Sequence, residues 1–341
     1  MSKNNKILFK YNLSDKEKEQ IIKFYNSFEF ISINQFTCWE EINNPEKNIC
    51  YFIKKYGNKI ISYSVILENK KIAYINYGPV SDNNDEIAFA IKEIRQYYKT
   101  KRFFKLVVKL GVLNDDVDLI QSKFNYKQSN YPYNWSTLII DVRQTTIDGI
   151  FKRFSKNHKR SIKKAIKNNL SVEQIADDKE VRQLSDIYDK MYDNRKIVKS
   201  FKNTYNVFSG INDLFKKNNN GVILGVFKGK KLVGGLILPI QGNTLYYQYG
   251  VADVENRNIP ILHLGFFEAI KFAQQKQLHF FDFGGYIQTV DKNNQIYNIN
   301  RFKEGFKGEV LYYPPNMHFV LSPVKYFIYE ILRKLYFTIF R

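Results

Sequence analysis

An internal repeat constrains the fold of this chain more than any other feature of its sequence. At an offset of 172 positions two pairs of segments align without a gap: Lys59–Val65 (KIISYSV) with Lys231–Ile237 (KLVGGLI), and Tyr74–Val80 (YINYGPV) with Tyr246–Ala252 (YYQYGVA). A two-residue turn candidate that begins with glycine, at 57–58 or 229–230, precedes each copy. The repeat therefore predicts two similar antiparallel meanders.

The elements around the meanders follow the same order in both copies. Helical patterns precede the meanders at Asp15–Tyr25 and Asp178–Tyr188, with acidic residues in their first turns. A second helix and a buried strand follow each meander, at Asp85–Tyr98 with Phe103–Val108 and at Ile259–Gln275 with Leu278–Phe283. We therefore predict a mixed α/β chain of two domains, residues 1–145 and 146–315, followed by a basic amphipathic helix at 316–341. The boundary is expected where Leu138–Val142 closes the first domain.

Charge and composition narrow the classes of partner. The 341 residues include 53 Lys and Arg against 33 Asp and Glu, a net charge of +20. Such a surface attracts polyanions such as nucleic acid, anionic lipid or diphosphate-linked substrates, although lysine also serves as a solubilising residue. Two cysteines, four dispersed histidines and a polar Met1–Asp15 predict a reducing, cytoplasmic setting, no signal peptide and no metal site.

Two C-terminal segments are the strongest candidates for chemistry, namely Phe281–Tyr286 (FDFGGY) and Arg301–Gly308 (RFKEGFKG). Strand alternation sends Asp282 away from its neighbouring phenylalanines, and the two glycines after it predict a tight turn that ends the strand. Asp282 either caps this turn or acts as a base or loop anchor. Lys303 is either a surface lysine beside packed aromatics or a positioned ammonium.

A basic segment and a tyrosine-rich strand supply further candidates. Residues 148–170 have helical spacing with one apolar face and one face of Lys and Arg, which either binds phosphate or is simply solvated. Arg160 is the best phosphate ligand there because a guanidinium offers a bidentate fork. Alternation places Tyr247 and Tyr249 on one face of a strand, where they either contact substrate or belong to an aromatic core.

These motifs resemble those of the FemABX family, which transfers amino acids from aminoacyl-tRNA onto peptidoglycan precursors. The resemblance covers roughly residues 30 to 315 and includes the family's "rFKxgF" at 301–306 and the "IrkAxK" part of its basic helix at 162–167. It implies two tandem GNAT-like domains and an aminoacyltransferase that acts on an amine of a cell-envelope precursor, nucleotide- or lipid-linked. The long coiled-coil arm of some members has no counterpart, because 194–220 is too short for it.

The resemblance also implies roles for individual residues. Lys303 would stabilise the oxyanion and Asp282 would orient the amine or its loop. The implied substrate-binding residues are Arg160, Lys163, Lys164, Tyr205, Tyr247, Tyr249, Gly284, Gly285, Arg301 and Phe302. No cofactor is expected beyond the donor substrate itself. The chain departs from the family pattern at Asn43, where a lysine is usual, and at Phe201, where an arginine is usual.

Two other functions remain open from the sequence. A GNAT-type acyltransferase would use acyl-CoA on an amino sugar of an envelope polysaccharide, but Ala252–Pro260 lacks the glycines of the usual "RxxGxG" pyrophosphate loop. A non-enzymatic RNA- or membrane-binding module is the third alternative. The tail at 323–341 either lies in a membrane interface or closes the fold, and its three charges between 330 and 334 disfavour a transmembrane span.

Overall fold

A computed structural model describes residues 5–29, 31–111, 117–128, 135–195, 201–256, 258–287 and 291–339. The chain divides into two compact units, the first formed by residues 1–134 with 313–341 and the second by residues 135–312. Strands and helices are numbered in chain order.

Unit 1 is built on a seven-stranded mixed sheet with the order β1-β2-β3-β4-β5-β15-β6. Its strands are β1 (Asn5–Lys10), β2 (Asn48–Tyr56), β3 (Lys59–Asn69), β4 (Ile72–Asn76), β5 (Lys105–Lys109), β6 (Lys127–Gln128) and β15 (Met317–Val320). Its helices are α1 (Asp15–Tyr25), α2 (Trp39–Asn43), α3 (Asn84–Thr100), α4 (Val117–Gln121) and α11 (Pro323–Ile339). A core of aliphatic and aromatic side chains lies between this sheet and α3.

Unit 2 is built on an eight-stranded mixed sheet with the order β14-β7-β13-β11-β10-β9-β8, and β12 also pairs with β10. Its strands are β7 (Trp135–Asp141), β8 (Leu170–Ile175), β9 (Gly221–Lys228), β10 (Lys231–Gln241), β11 (Thr244–Tyr246), β12 (Tyr249–Ala252), β13 (Phe280–Ile287) and β14 (Glu309–Tyr312). Its helices are α5 (Ile147–Arg153), α6 (Lys156–Lys167), α7 (Asp178–Arg195), α8 (Thr204–Asn218), α9 (Ile261–Gln275) and α10 (Gln295–Glu304).

The repeated meander predicted from the sequence is confirmed. In each unit a long hairpin (β2–β3 or β9–β10) turns at a glycine with a φ of +60°, Gly57 or Gly229. The strand that follows pairs in parallel with the strand after the next helix, as β4 with β5 and β11 with β13. This parallel pair is possible because α3 or α9 supplies the crossover that parallel strands need.

The structure draws the unit boundary differently from the sequence prediction. Strand β7, which was expected to close the first domain, pairs with β13 and β14 in the second sheet. Strand β15, which was expected to belong to a C-terminal helix, pairs with β5 and β6 in the first sheet. Each sheet therefore takes the strand beside its parallel pair from a distant part of the chain, which local patterns do not reveal.

Helices differ from their predicted extent in two places. The basic segment at 148–170 forms two helices, because Ser155 caps the N-terminus of α6 by accepting a hydrogen bond from the His158 backbone N–H. The C-terminal helix begins only at Pro323, and residues 340–341 of the predicted helix lie outside the described residues.

Within the described parts of the chain no coiled-coil arm is present, since α7 ends at Arg195 and α8 begins at Thr204. No described helix is long and apolar enough to cross a membrane.

Candidate active site

Two neighbouring strands of unit 2 separate and create an opening in the sheet. Strand β11 pairs with β13 as far as Tyr246 beside Asp282, and the Tyr247 backbone N–H then donates to the Asp282 carbonyl oxygen at 2.8 Å. From Tyr249 onward the chain, as β12, pairs with β10. Among the described residues β12 makes no ladder with β13, so the second half of β13 faces an opening on this side.

The glycine pair lies inside β13 rather than in a turn after it, so the predicted strand end was wrong. The register against β7 shifts between Asp282 and Gly285, which marks a β-bulge, and Gly284 has a φ of +68°. Only glycine adopts this conformation without strain. The bulge directs the carbonyl groups of Gly284 and Gly285 towards the side chain of Lys303.

Lys303 is a buried cation, with 6% of its surface exposed, at the C-terminal end of α10. Its Nζ donates hydrogen bonds to the carbonyl oxygens of Gly285 at 2.7 Å and Gly284 at 3.4 Å, and it lies 5.7 Å from the centre of the Tyr247 ring. An ammonium has three donors, so the described contacts leave one for a ligand. Burial lowers the pKa of Lys303 to about 8, while the charge of Asp282 raises it.

Asp282 is 2% exposed and is fixed by two donors. Its Oδ1 accepts hydrogen bonds from the Gly284 backbone N–H at 2.6 Å and from the hydroxyl of Thr137 on β7. Burial raises the pKa of this carboxyl to about 6, against the lowering effects of Thr137, Gly284 and the Lys303 charge. The carboxylate therefore shapes the bulge that holds Lys303.

Tyr247 and Tyr249 do not share one face, because the β-strand is interrupted between the end of β11 at Tyr246 and the start of β12 at Tyr249. The Tyr247 ring packs edge-on against Phe266 of α9, at 4.7 Å between ring centres. The Tyr249 ring instead packs against Phe208 of α8 and Phe201, at 5.7 and 5.5 Å. The simple alternation predicted from the sequence was wrong, although both residues flank the opening at its β12 side.

Tyr205 lies on α8 and contacts α7. Its hydroxyl donates to Asp178 at 2.5 Å, and the guanidinium of Arg182 lies 3.7 Å from its ring centre. These contacts join α8 to α7 and are separate from those that surround Lys303. Its implied role in an acceptor channel stays a prediction.

The predicted phosphate-binding residues lie on the exposed side of α6. Arg160, Lys163 and Lys164 are exposed, while Ile162 and Ala165 are buried against the core of unit 2. Ile166 of the same helix is apolar but 55% exposed, so it does not belong to the buried face. No cation of α6 forms an ion pair with any described carboxylate, so this helix presents uncompensated positive charge.

His158, which no sequence pattern marked as functional, joins α6 to α10. The His158 Nε2 donates to the Phe302 carbonyl oxygen at 2.8 Å, since a carbonyl can only accept, and Nδ1 lies 3.1 Å from the Ser155 hydroxyl. A Cβ atom on Gly305 would lie 1.9 Å from the His158 ring. The Phe302 ring packs on His263, and exposed Arg301 lies over Tyr297. These contacts fix the end of α10 that carries Lys303.

A cavity of about 740 Å³ lies beside the N-terminus of α9. It is lined by Lys164 of α6, Arg195 at the end of α7, His263 and Phe302, and by most of the Ala252–Ile261 segment. The Nζ of Lys164 donates to the Asn258 carbonyl oxygen at 3.1 Å. The first turn of a helix and two nearby cations favour an anionic ligand. Among the described residues no cluster of His, Cys, Asp or Glu could hold a metal ion.

Residues 152–303 match the family model described as "Acetyltransferase (GNAT) domain". Two curated relatives are named lipid II:glycine glycyltransferase: that of Staphylococcus epidermidis is 28% identical over 127 residues, and that of Staphylococcus haemolyticus is 31% identical over 91 residues. These alignments cover 37% and 27% of this chain but only 26% and 20% of the relatives' own lengths.

The similarity in fold extends over nearly the whole chain. The crystal structure of FemX superposes with a TM-score of 0.78 at 14% sequence identity, covering 95% of this chain and 99% of that one. A tandem GNAT protein from the clavulanic acid biosynthesis pathway superposes with a TM-score of 0.56 at 9% identity, covering 94% of this chain and 99% of that one, which confirms the tandem GNAT-like architecture predicted from the sequence. Residues 152–303 therefore form a GNAT-type domain with sequence similarity to two glycyltransferases, and the chain as a whole shares the fold of FemX.

Proposed function

We propose that this chain is an aminoacyltransferase that moves an amino acid from aminoacyl-tRNA onto an amine of a peptidoglycan-type precursor. The buried ammonium of Lys303, held by the Gly284 and Gly285 carbonyls beside an opening in the sheet, is the observation that carries this proposal. With a pKa of about 8, Lys303 is mostly protonated at neutral pH, so it can stabilise a developing negative charge.

The reaction needs no nucleophile from the protein. The acceptor amine attacks the ester carbonyl of the aminoacyl-tRNA, and the tetrahedral oxyanion that forms accepts a hydrogen bond from Lys303. When the intermediate collapses, the new C–N bond is retained and the ester C–O bond breaks. The ribose hydroxyl leaves with the proton that the amine has lost. In this proposal Asp282 holds the bulge in place and its charge keeps Lys303 protonated.

The donor would be bound by the basic side of unit 2. Arg160, Lys163 and Lys164 project from α6 without ion-pair partners among the described residues, and Lys164 also lines the cavity at α9. A terminal adenosine with its phosphates fits a cavity that combines cations, a helix N-terminus and the apolar surface of Phe302. Arg301 is exposed one residue before that ring.

The acceptor would be a lipid-linked precursor, as the name of the matched glycyltransferases suggests for those proteins. Tyr247 and Tyr249 lie at the opening in the sheet and would contact the acceptor there. Tyr205, on α8, would lie at the edge of the acceptor site. We also propose a cytoplasmic location at the inner face of the membrane, because a lipid-linked substrate is presented there.

The alternative donor is acyl-CoA, with an amino sugar as acceptor. The description of the matched family model and the position of the cavity at the α9 N-terminus favour this alternative. The absence of glycine between Ala252 and Pro260 disfavours it, because backbone N–H groups in that loop usually approach the pyrophosphate.

Transfer of label from two donors distinguishes these functions. Purified protein is incubated with envelope-precursor extract and either radiolabelled aminoacyl-tRNA or labelled acetyl-CoA. We expect transfer from tRNA, reduced at least about a hundredfold by Lys303→Ala, because loss of one oxyanion donor has that effect. The exposed Lys292→Ala is the matched control and should retain activity. Transfer only from acetyl-CoA would establish the alternative, and transfer from neither would favour a binding module.

A further inference from the structure

The C-terminal helix α11 divides its circumference into a packed face and an open face. Tyr326 and Tyr329 pack against a small cluster on the sheet of unit 1, formed by Ile72, Phe104 and Val107. The rings of Phe104 and Tyr329 lie 5.1 Å apart. The helix is therefore attached to unit 1 by one side, which leaves the opposite side available.

The open face is unusually apolar. Six large side chains of this face are between 42% and 71% exposed: Val324, Phe327, Ile328, Ile331, Leu332 and Leu335. At about 100° per residue they fall within one arc of about 140°. Half of the exposed large hydrophobic residues of the described chain are on this one helix. A contiguous apolar stripe of this kind marks an interaction surface.

Charged side chains border the stripe in a fixed pattern. Helical spacing places exposed Lys325 at one edge of the arc and exposed Lys334 at the other. The acidic residue of the helix, Glu330, lies on the packed side and forms an ion pair with Arg333 at 2.8 Å. The stripe is therefore bordered by positive charge on both sides.

We propose that the open face of α11 binds the surface of an anionic phospholipid membrane, with the helix axis parallel to that surface. Apolar side chains would enter the acyl boundary, and the two lysines would extend their ammonium groups to lipid phosphates. Lysines on both edges of the stripe complement a planar anionic surface.

This surface gives a structural basis to the membrane location proposed above, and its binding is measured without turnover. Vesicle flotation tests it, using neutral phosphatidylcholine vesicles and vesicles that also contain phosphatidylglycerol. We expect the full chain to float with the anionic vesicles only. The variant Ile328→Gln/Ile331→Gln/Leu335→Gln should lose this binding without a change in melting temperature, because all three side chains are exposed.

Charge is tested separately from apolar contact. Lys325→Gln/Lys334→Gln should weaken binding roughly fivefold for each lysine removed. Two control variants make the same kinds of change at exposed residues outside α11, and both should float like the unaltered chain. They are Leu119→Gln/Tyr56→Gln for apolar contact and Lys228→Gln/Lys230→Gln for charge. Equal flotation of the triple variant and the unaltered chain would overturn the proposal. So would a dimer of the full chain, seen by light scattering, that the triple variant converts to a monomer. Failure of flotation would leave the proposed transfer reaction intact.

Discussion

The proposed chemistry depends on the protonation of one lysine. Since burial lowers the pKa of Lys303 to about 8, its ammonium is lost as pH rises through that value. We expect kcat/KM for transfer to fall above pH 8 by about tenfold per pH unit. Asp282→Asn keeps hydrogen-bond acceptors for Thr137 and Gly284 but removes the charge that raises the pKa of Lys303. The fall should therefore begin at lower pH in this variant.

Label transfer measured as a function of pH checks this expectation. Glu304→Gln is the matched control, because Glu304 is an exposed neighbouring carboxylate that accepts a hydrogen bond from Tyr286. Its profile should coincide with that of the unaltered chain. If Asp282→Asn left the alkaline limb where it was, Asp282 would not control the charge of Lys303.

Gly305 is a second residue whose identity the structure requires. A Cβ atom there would lie 1.9 Å from the His158 ring, and that ring is held by Phe302 and Ser155. We expect Gly305→Ala to lower the free energy of unfolding by about 1–3 kcal/mol through overpacking, and to lower kcat by moving Lys303. In a His158→Ala background the same substitution should cost much less. Thermal unfolding of the four proteins of this cycle measures the coupling, and strict additivity would contradict it.

At the scale of single elements, local sequence patterns predicted the structure well where contacts are local. Helix α1 begins and ends at the predicted residues, and the hairpin turns at Gly57 and Gly229 are as expected. The bulge at Gly284 could not be predicted, because it depends on pairing with β7, some 140 residues earlier. Thr137, which holds Asp282, was missed for the same reason.

The exposed side of α6 is the surface that we propose binds the tRNA donor. If its cations contact tRNA phosphates, Arg160→Gln/Lys163→Gln should raise the Kd for tRNA and reduce the salt dependence of log Kd by about one unit per residue. Filter binding over a range of salt concentrations measures both. Lys216→Gln/Lys217→Gln on α8 removes two exposed cations from the same unit and should change neither. An unchanged salt slope in the α6 variant would place tRNA elsewhere.

At the scale of the molecule, the unit boundary shows why a repeat in sequence does not define the units. Read from β1 and from β8, the two sheets have corresponding orders, and β15 and β7 occupy equivalent places beside β5 and β13. In both sheets this strand lies outside the repeated segment in the sequence. Strand β7 precedes the repeat of unit 2, and β15 of unit 1 comes from the C-terminal part of the chain. The predicted boundary at residue 145 therefore puts β7 in the first domain, whereas β7 pairs within the sheet of unit 2.

This arrangement predicts that two truncations only ten residues apart have different effects. Ending the chain after Tyr312 removes β15, whose Met317 and Phe319 are at most 1% exposed in the core of unit 1. Loss of one such phenylalanine costs about 3–5 kcal/mol, a large part of the roughly 5–15 kcal/mol that stabilises a domain. Ending it after Ser322 keeps β15 and removes only α11, so unit 1 should stay folded and lose vesicle binding. Hydrogen exchange resolved by peptide measures each unit separately. Protection from exchange in unit 1 should disappear only in the chain that ends at Tyr312. Strands β9 and β10 of unit 2 should stay protected in both truncated chains. If β5 remained protected after truncation at Tyr312, β15 would be dispensable for the folding of unit 1.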